Sequence, residues 1–429
     1  DKEYLYKNNL ALNNKKEFIL DNIPRIIRIL QGFFRFFQIK KQKNKKNILV
    51  FTKSHSWSDL GMGIRGDQYF YPIIKYLSKY KDYSMFFLDV ALTREGAWKA
   101  IKEKKRPFIP YDYLIFRSFF DKDIRKDLNS LRHRFKKVWN ELDKNENLKK
   151  ILRCADVPLY SALRLKIKSY FLNEFDSLVS AARNIEIGRK ILNCYFIDGV
   201  LCTDENDVAR FLVFASKLEN LPSIGLQHGA IGPYGTIYYN YSKKDLYGYN
   251  NKLNCQLSDK TAVYGNYFKK LLMKIGNYTE DKIVVAGQPR MDIIYENKKN
   301  YSKKDFYKKH KIDNRKKLIV YASQPMGGES RAAFSAVVKA IKNLKNVKLI
   351  VKLHSADDPL LYKTLLQKLE YEAIVSRDID LYETLACSDL VISIHSTVIL
   401  EALALEKPVI QLNLLEKYDI FGTEANKAI

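Results

Sequence analysis

Six histidines occur in the chain, and three of them fall where a buried strand would end. His354 closes the apolar run KLIVKLH, His395 closes DLVISIH, and His228 follows SIGLQ and opens the loop HGAIGPYG. Imidazole ordinarily titrates near neutrality, so at a strand end beside a flexible loop it suits general base duty or hydrogen bonding to a phosphate. His228 could equally hold loop carbonyls. Ser396 and Thr397 follow His395 directly and precede a helical pattern, which places two hydroxyls and free backbone N–H groups at a helix N-terminus, a natural seat for phosphate. Glu401, one turn further on, could accept hydrogen bonds from ribose hydroxyls. Plain N-capping, and a carboxylate favoured by the helix dipole, account for the same residues without a ligand. Lys352 lies two residues before His354, on the same face of its strand.

A second tier is weaker. In ASQPMGGES, Ser323, Gly327 and Gly328 offer a backbone cradle near a helix start. In GQPR, Arg290 is a candidate phosphate partner, although a turn with a surface arginine fits equally well. Gly63 and Arg65 of GMGIRGD, with Gly229 after His228, could line an acceptor-side loop. The G-x-G fragment lacks the G-x-G-x-x-G spacing, so it is no dinucleotide fingerprint. Asp204 and Glu205 form the nearest acidic pair, as a base or an N-cap. No acidic pair stands in a strand-end context suited to a metal, so neither a metal nor a cofactor is expected, and a phosphate would be held by imidazole, hydroxyl and amide groups.

These residues need strands to carry them. NILVFTK, YSMFFLDV, CYFIDGVLCTDE, SIGLQHG, TAVYG and KIVVAG read as short buried strands separated by helical patterns; LIVYASQ, KLIVKLH, EAIVS, DLVISI and PVIQL form a second series. Near-continuous Val/Ile/Leu runs alternating with helices imply parallel sheets, whose ligands lie outside the carboxyl ends of the strands. The fold class is therefore α/β, with two doubly wound, Rossmann-like domains facing a cleft. Residues 1–46 are an N-terminal basic amphipathic segment, residues 47–297 a first domain with a helical insertion at about 121–193, residues 298–317 a Lys-rich linker, and residues 318–429 a second domain. That second domain is short, and a last strand and closing helices are expected to be absent.

A length of 429 residues and 46% hydrophobic content suffice for two cores. Lys plus Arg at 74 against Asp plus Glu at 48 leaves a net charge of +26, which suits anionic partners or reflects merely solvated lysines. Nucleic acid is not expected, because no basic face interleaved with aromatics is recognisable. The five cysteines are scattered, odd in number and never spaced C-x-x-C, which fits a reducing compartment without structural zinc. No signal peptide and no uncharged apolar run of membrane-spanning length is found. From Asp21 to Lys41, however, Arg25, Arg28, Gln31, Arg35 and Gln38 fall on one helical face among Ile, Leu and Phe, and a lysine run follows. That is the composition of an in-plane anchor on an anionic membrane; a helix packed on its own domain is the competing expectation.

LQHG, AVYGNYFKKLL, KIVVAGQPRMD, KLH and SDLVISIHSTVILEALALEKPVIQL together resemble the GT-B glycosyltransferase-type enzymes of surface polysaccharide assembly over roughly residues 195–412. The resemblance is to capsule polysaccharide transferases, CDP-glycerol glycerophosphotransferases and, more distantly, UDP-N-acetylglucosamine 2-epimerases. It implies a donor nucleotide held by the second domain, with His354, Ser396, Thr397 and Glu401 on its phosphates and ribose and His228 facing the reacting centre. Two departures qualify it. Cytidine-nucleotide-using relatives tend to have His-Pro where this chain has His354-Ser355, and the epimerases carry a run of glycines where it has His-Ser-Thr-Val. The expectation is a metal-independent glycosyltransferase, cytoplasmic and peripheral on the inner face of the cell membrane. It moves a sugar from a CMP- or UDP-activated donor to a glycan or lipid-linked acceptor; the alternatives are a polyol-phosphate transferase, a sugar epimerase or a nucleic-acid-binding protein.

Overall fold

The computed structural model describes residues 15–38, 44–59, 65–91, 93–103, 108–154, 156–173, 177–203, 208–229, 231, 257–325, 328–354 and 357–412. Helix α1 (Lys15–Gln38) leads into β1 (Lys46–Lys53), a hairpin of β2 (Trp57–Asp59) and β3 (Arg65–Asp67), α2 (Tyr71–Leu77), β4 (Tyr83–Val90), α3 (Arg94–Lys102), β5 (Phe108–Pro110) and α4 (Tyr111–Ser118). Helices α5 (Lys122–Asp143), α6 (Glu146–Ile151), α7 (Tyr160–Leu172) and α8 (Leu178–Cys194) follow, with the short pair β6 (Arg153–Cys154) and β7 (Val157–Pro158) between α6 and α7. Next come β8 (Ile197–Thr203), α9 (Ala209–Leu218), β9 (Ser223–Leu226), β10 (Lys260–Val263), α10 (Asn266–Ile275), β11 (Ile283–Val285), α11 (Pro289–Asn297) and α12 (Lys303–Lys309). The chain then runs through β12 (Lys317–Ala322), α13 (Gly328–Ile341), β13 (Val347–Lys352), α14 (Pro359–Lys368), β14 (Ala373–Ser376), α15 (Leu381–Cys387), β15 (Leu390–Ser393), α16 (Val398–Ala404) and β16 (Val409–Gln411).

Two sheets carry the fold, one of seven strands in the order β11-β10-β9-β8-β1-β4-β5 and one of five in the order β14-β13-β12-β15-β16. Their strand pairs are parallel, as an alternation of apolar runs and helices requires. By packing, the chain divides into one unit of residues 1–56, 77–225 and 247–260 and another of residues 57–76, 226–246 and 261–429, with the dividing line passing through β9 and β10.

In the first unit, Leu49 and Phe51 of β1 and Phe86 and Leu88 of β4 pack with Ile187 and Ile191 of α8 and Leu212 of α9. Helix α1 docks on this unit, and the side it turns inward carries arginines. Arg28 is 1% exposed and gives Nη1 to Asp89 Oδ2 at 2.9 Å, Nη2 to the Asp89 carbonyl at 3.1 Å and Nε to Asp112 Oδ2 at 2.7 Å. Arg35 donates to the Phe108 carbonyl at 3.0 Å. A Cβ on Gly32 would stand 2.2 Å from Tyr113 Cβ, so only glycine lets α1 and α4 approach this closely. The arginine stripe is therefore no solvated polar face, because carboxylates of β4 and α4 claim its central member.

In the second unit, alternate residues of β12 feed opposite layers. Leu318 and Val320 join Phe306, Tyr307 and Leu405, while Ile319 and Tyr321 join Phe334, Val338, Leu349 and Val351. The Lys-rich stretch expected as a linker thus contains a helix, α12, that buries Phe306 and Tyr307 in the core. Two aromatics among lysines were enough to overrule its polar composition.

Candidate functional site

The sequence-selected residues described in the structure all belong to the second unit, and they form two groups. The first is built at the ends of β12, β13 and β15. Because β12 pairs in parallel register with both β13 and β15, Ser323, His354 and His395 leave the sheet along one edge. Ser323 Oγ accepts the His354 backbone N–H at 2.9 Å and bonds to Asp357 Oδ2. Gln324, the next residue, accepts the His395 backbone N–H through Oε1 at 2.7 Å. Ser393 Oγ donates to the Ala322 carbonyl at 2.8 Å, tying the two strand ends together. Both histidines are thus held at the strand ends through their main chain. Desolvation by the surrounding protein lowers the pKa of His354, opposed by the Asp357 carboxylate, and that of His395, opposed by Glu329. Neutral rings near pH 7 can accept a proton or donate an N–H without bringing charge.

Ser396 and Thr397 are half-buried at the start of α16, with Ser396 Oγ accepting the Val398 N–H at 3.3 Å. Lys352 turns elsewhere, its Nζ donating to the Arg377 carbonyl at 2.6 Å, and desolvation lowers its pKa.

The second group centres on Arg290. Gly287 at φ +74° turns the chain, Gln288 caps α11 by accepting the Arg290 N–H at 3.1 Å, and Pro289 occupies the first turn. The arginine is thereby buried, with Nη2 on Glu401 Oε1 at 2.6 Å and Nη1 on Gln68 Oε1 at 3.1 Å. Burial alone would lower its pKa, but the Glu401 carboxylate outweighs it and the guanidinium stays charged. Arg290 and Glu401, expected separately on phosphate and ribose, are thus brought onto each other. Arg290 Nε and Glu401 Oε2 have no hydrogen-bond partner among the described residues.

Arg290 also lies 5.6 Å from the centroid of Tyr69, whose ring meets His228 edge-on at 6.2 Å. Gln227 joins this set to the strands: its Oε1 accepts the Tyr264 N–H at 2.9 Å and its Nε2 donates to the Gly229 carbonyl at 2.8 Å. Gln288 Nε2 bonds Tyr264 OH at 3.0 Å. His228 and Gly229 therefore belong with Arg290 and Glu401. Arg65 is exposed at the start of β3, while Gly63, Asp204, Glu205 and Gly327 lie outside the described residues.

Sequence reasoning passed over Gln68, Tyr69, Gln227, Gln288, Gln324, Tyr264 and Asp357. A usable signal existed for three of them. Gln227, Gln288 and Gln324 each stand one to three residues past an apolar strand, where an uncharged donor-acceptor can brace two chain segments. Among the described residues, no group of three or more His, Cys, Asp or Glu side chains gathers as a metal ligand set.

Solved structures share the architecture. A UDP-GlcNAc 2-epimerase from Neisseria meningitidis bound to UDP-GlcNAc matches with a TM-score of 0.50 at 14% identity, covering 86% of this chain and 82% of its own. The UDP co-structure of MnaA from S. aureus matches with a TM-score of 0.50 at 16% identity, covering 90% and 83%. A glycosyltransferase from Rickettsia africae gives a TM-score of 0.50 at 16% identity, covering 86% and 80%. At such identities the likeness concerns the fold, which is the GT-B-like α/β arrangement of parallel sheets. No curated protein matches the chain. The family model for CDP-Glycerol:Poly(glycerophosphate) glycerophosphotransferase matches residues 195–419, just over half of the chain, from just ahead of β8 through the whole His354 and His395 edge. Apart from Gln68 and Tyr69, both side-chain groups fall inside that match, and the chain is accordingly a transferase that belongs to the CDP-glycerol:poly(glycerophosphate) glycerophosphotransferase family.

Proposed function

We propose that this chain transfers a polyol phosphate from a cytidine-diphosphate-activated donor to a hydroxyl of a growing cell-envelope polymer, glycan or lipid-linked, without a metal or cofactor. The observation that carries this is the extent of the family match, which takes in His228, Arg290, Glu401 and the full strand-end set together. In the proposed step the acceptor oxygen attacks the donor's distal phosphorus, its proton passes to the His228 imidazole, and the bond to cytidine monophosphate breaks. The departing phosphate is then received by the neutral His354 and His395 rings and the Ser396 and Thr397 hydroxyls. The reaction is seated in the cytoplasm, on the inner face of the cell membrane, where a lipid-linked acceptor is presented.

Transfer of a sugar keeps one observation in its favour: Ser355 follows His354 where cytidine-nucleotide-using relatives tend to have proline. One assay decides between them. CDP-glycerol and UDP-GlcNAc are supplied in turn with a polymer primer, and the released nucleotide is identified. Acceptor-dependent release of CMP is expected, and His228→Ala or His354→Ala should each lower it by about a hundredfold or more. Release of UDP alone, or near-normal turnover in both variants, contradicts the proposal.

A further inference from the structure

The strand-end set includes a carboxylate that has no part in the transfer step. Asp357 is 5% exposed and lies just ahead of α14. It reaches both main-chain groups of His354. Its own N–H donates to the His354 carbonyl at 3.1 Å, and its Oδ2 accepts the Ser323 hydroxyl, whose oxygen in turn accepts the His354 N–H at 2.9 Å. Ser323, expected on a phosphate, spends its hydroxyl on this link. Starting α14 does not account for Asp357, because Asp358 does that by accepting the Leu360 N–H at 2.9 Å. Ion pairing does not account for it either: among the described residues no Lys, Arg or His forms an ion pair with its carboxylate. Two cations of the adjoining strand ends are spent on carbonyls, Arg377 on that of Asp357 and Lys352 Nζ on that of Arg377 at 2.6 Å. A buried carboxylate held by a neutral hydroxyl without a counter-charge is costly, and such groups gather where function requires them.

We propose that Asp357 is a positioning residue for the transfer reaction, which aims His354 through its main chain and sets beside it the negative charge that a protonated imidazole needs. The inference rests on the reading of His354 as a receiver of the departing phosphate. Negative charge grows on that phosphate as its bond to the distal phosphorus breaks, and a ring able to draw a proton from solvent meets that charge better than one held neutral. Desolvation works against a charged His354 ring; Asp357 works for it, and Lys352 opposes. Tyr362 of α14 interacts with the same carboxylate and stays neutral, because burial holds its pKa up at about 12. His395, at the neighbouring strand end, answers to Glu329 instead, so Asp357 acts on one histidine of the edge.

The test is an NMR titration of the histidines in the full chain without ligand, the His354 resonance being assigned by its loss in His354→Gln. Asp357→Asn keeps an oxygen for the Ser323 hydroxyl and removes only the charge. Its His354 midpoint should fall by about half a pH unit or more at an unchanged melting temperature. Supplied with CDP-glycerol and a polymer primer, the same variant should lose about tenfold in kcat, with the alkaline limb of its kcat profile starting at lower pH. An unmoved His354 midpoint in a folded Asp357→Asn protein would overturn the proposal, since a merely structural brace leaves that midpoint where it was. Ser323→Ala supplies an independent variant, keeping the carboxylate and cutting the link. It should lower kcat about tenfold while its His354 midpoint stays above that of Asp357→Asn, and wild-type turnover in it would overturn the aiming role. The titration needs no substrate, which separates this inference from the reaction proposed above. A wild type that transfers nothing from CDP-glycerol, together with a lowered midpoint in Asp357→Asn, would contradict that reaction and support the hold of Asp357 on His354.

Discussion

Arg28 in the first unit and Arg290 in the second are both buried against carboxylates, and their surroundings are completed differently. Arg28 spends all three nitrogens, on Asp89 Oδ2, the Asp89 carbonyl and Asp112, and Asp89 receives Ser54 Oγ at 2.8 Å as well. Burial works against the Arg28 charge, and the two aspartates more than restore it. Arg290 spends two nitrogens and keeps Nε back, while Glu401 keeps Oε2 back. A buried polar atom without a partner costs free energy, and it persists where something else completes it or where function requires it. The first arginine is thus a fastener for α1. The second, with a donor and an acceptor in reserve beside Tyr69 and near His228, has what a ligand-completed site has.

Substitutions can break that comparison. Arg28→Met strands the carboxylates of Asp89 and Asp112, and Glu401→Gln leaves Arg290 without a counter-charge. Each should cost about 3–5 kcal/mol in chemical denaturation, because removing one partner of a buried pair leaves the other uncompensated. Turnover per folded molecule should separate them, being retained in Arg28→Met and lowered about tenfold or more in Glu401→Gln, as loss of a charge-assisted bond would do. Equal turnover in both would make Arg290–Glu401 a second fastener and nothing more.

A smaller effect belongs to the first unit alone. Gly32→Ala pushes α1 away from Tyr113 and should cost about 1–3 kcal/mol, read as a lower denaturation midpoint, since overpacked contacts relax only in part. The smallest effect belongs to the second unit. His310, His354 and His395 are all held below the ordinary histidine value of 6.5, chiefly by desolvation. The unfolded chain therefore binds more protons below that pH, so the stability they contribute is present above pH 6.5 and is lost as pH falls through their lowered folded values. Denaturation followed from about pH 7.5 down to about pH 5 should show that decline, and His310→Gln should reduce its slope.

Much of this architecture was legible in the chain itself. KLIVKLH and DLVISIH announce β13 and β15 because a parallel strand buried on both faces must be apolar throughout, and the histidines closing them fall at the strand ends where such sheets bind ligands. GQPR reads forward into structure as well: a glycine with positive φ, a capping glutamine and a proline in the first turn start α11. Pairing across long stretches of sequence was not legible. Asp89 and Asp112 lie 61 and 84 residues from Arg28, so the amphipathic pattern of α1 could not show that Arg28 turns inward while Phe33, Phe34 and Phe37 stay exposed. Glu401 lies 111 residues from Arg290, and each looked like a ligand of something small until the fold placed them in contact. The aromatics of α12 were likewise hidden behind the lysines around them.

The central claim, that the His354 and His395 edge receives a nucleoside diphosphate group, is tested most directly by titration calorimetry. CDP and UDP are titrated in turn into the wild type and into His395→Ala, whose strand remains braced through the backbone bond to Gln324. The account predicts that the wild type binds one of these nucleotides and that the variant binds it at least about tenfold more weakly at an unchanged melting temperature, the loss expected for one hydrogen bond to a charged group. Equal affinity in the two proteins, or no binding of either nucleotide to the wild type, would contradict it.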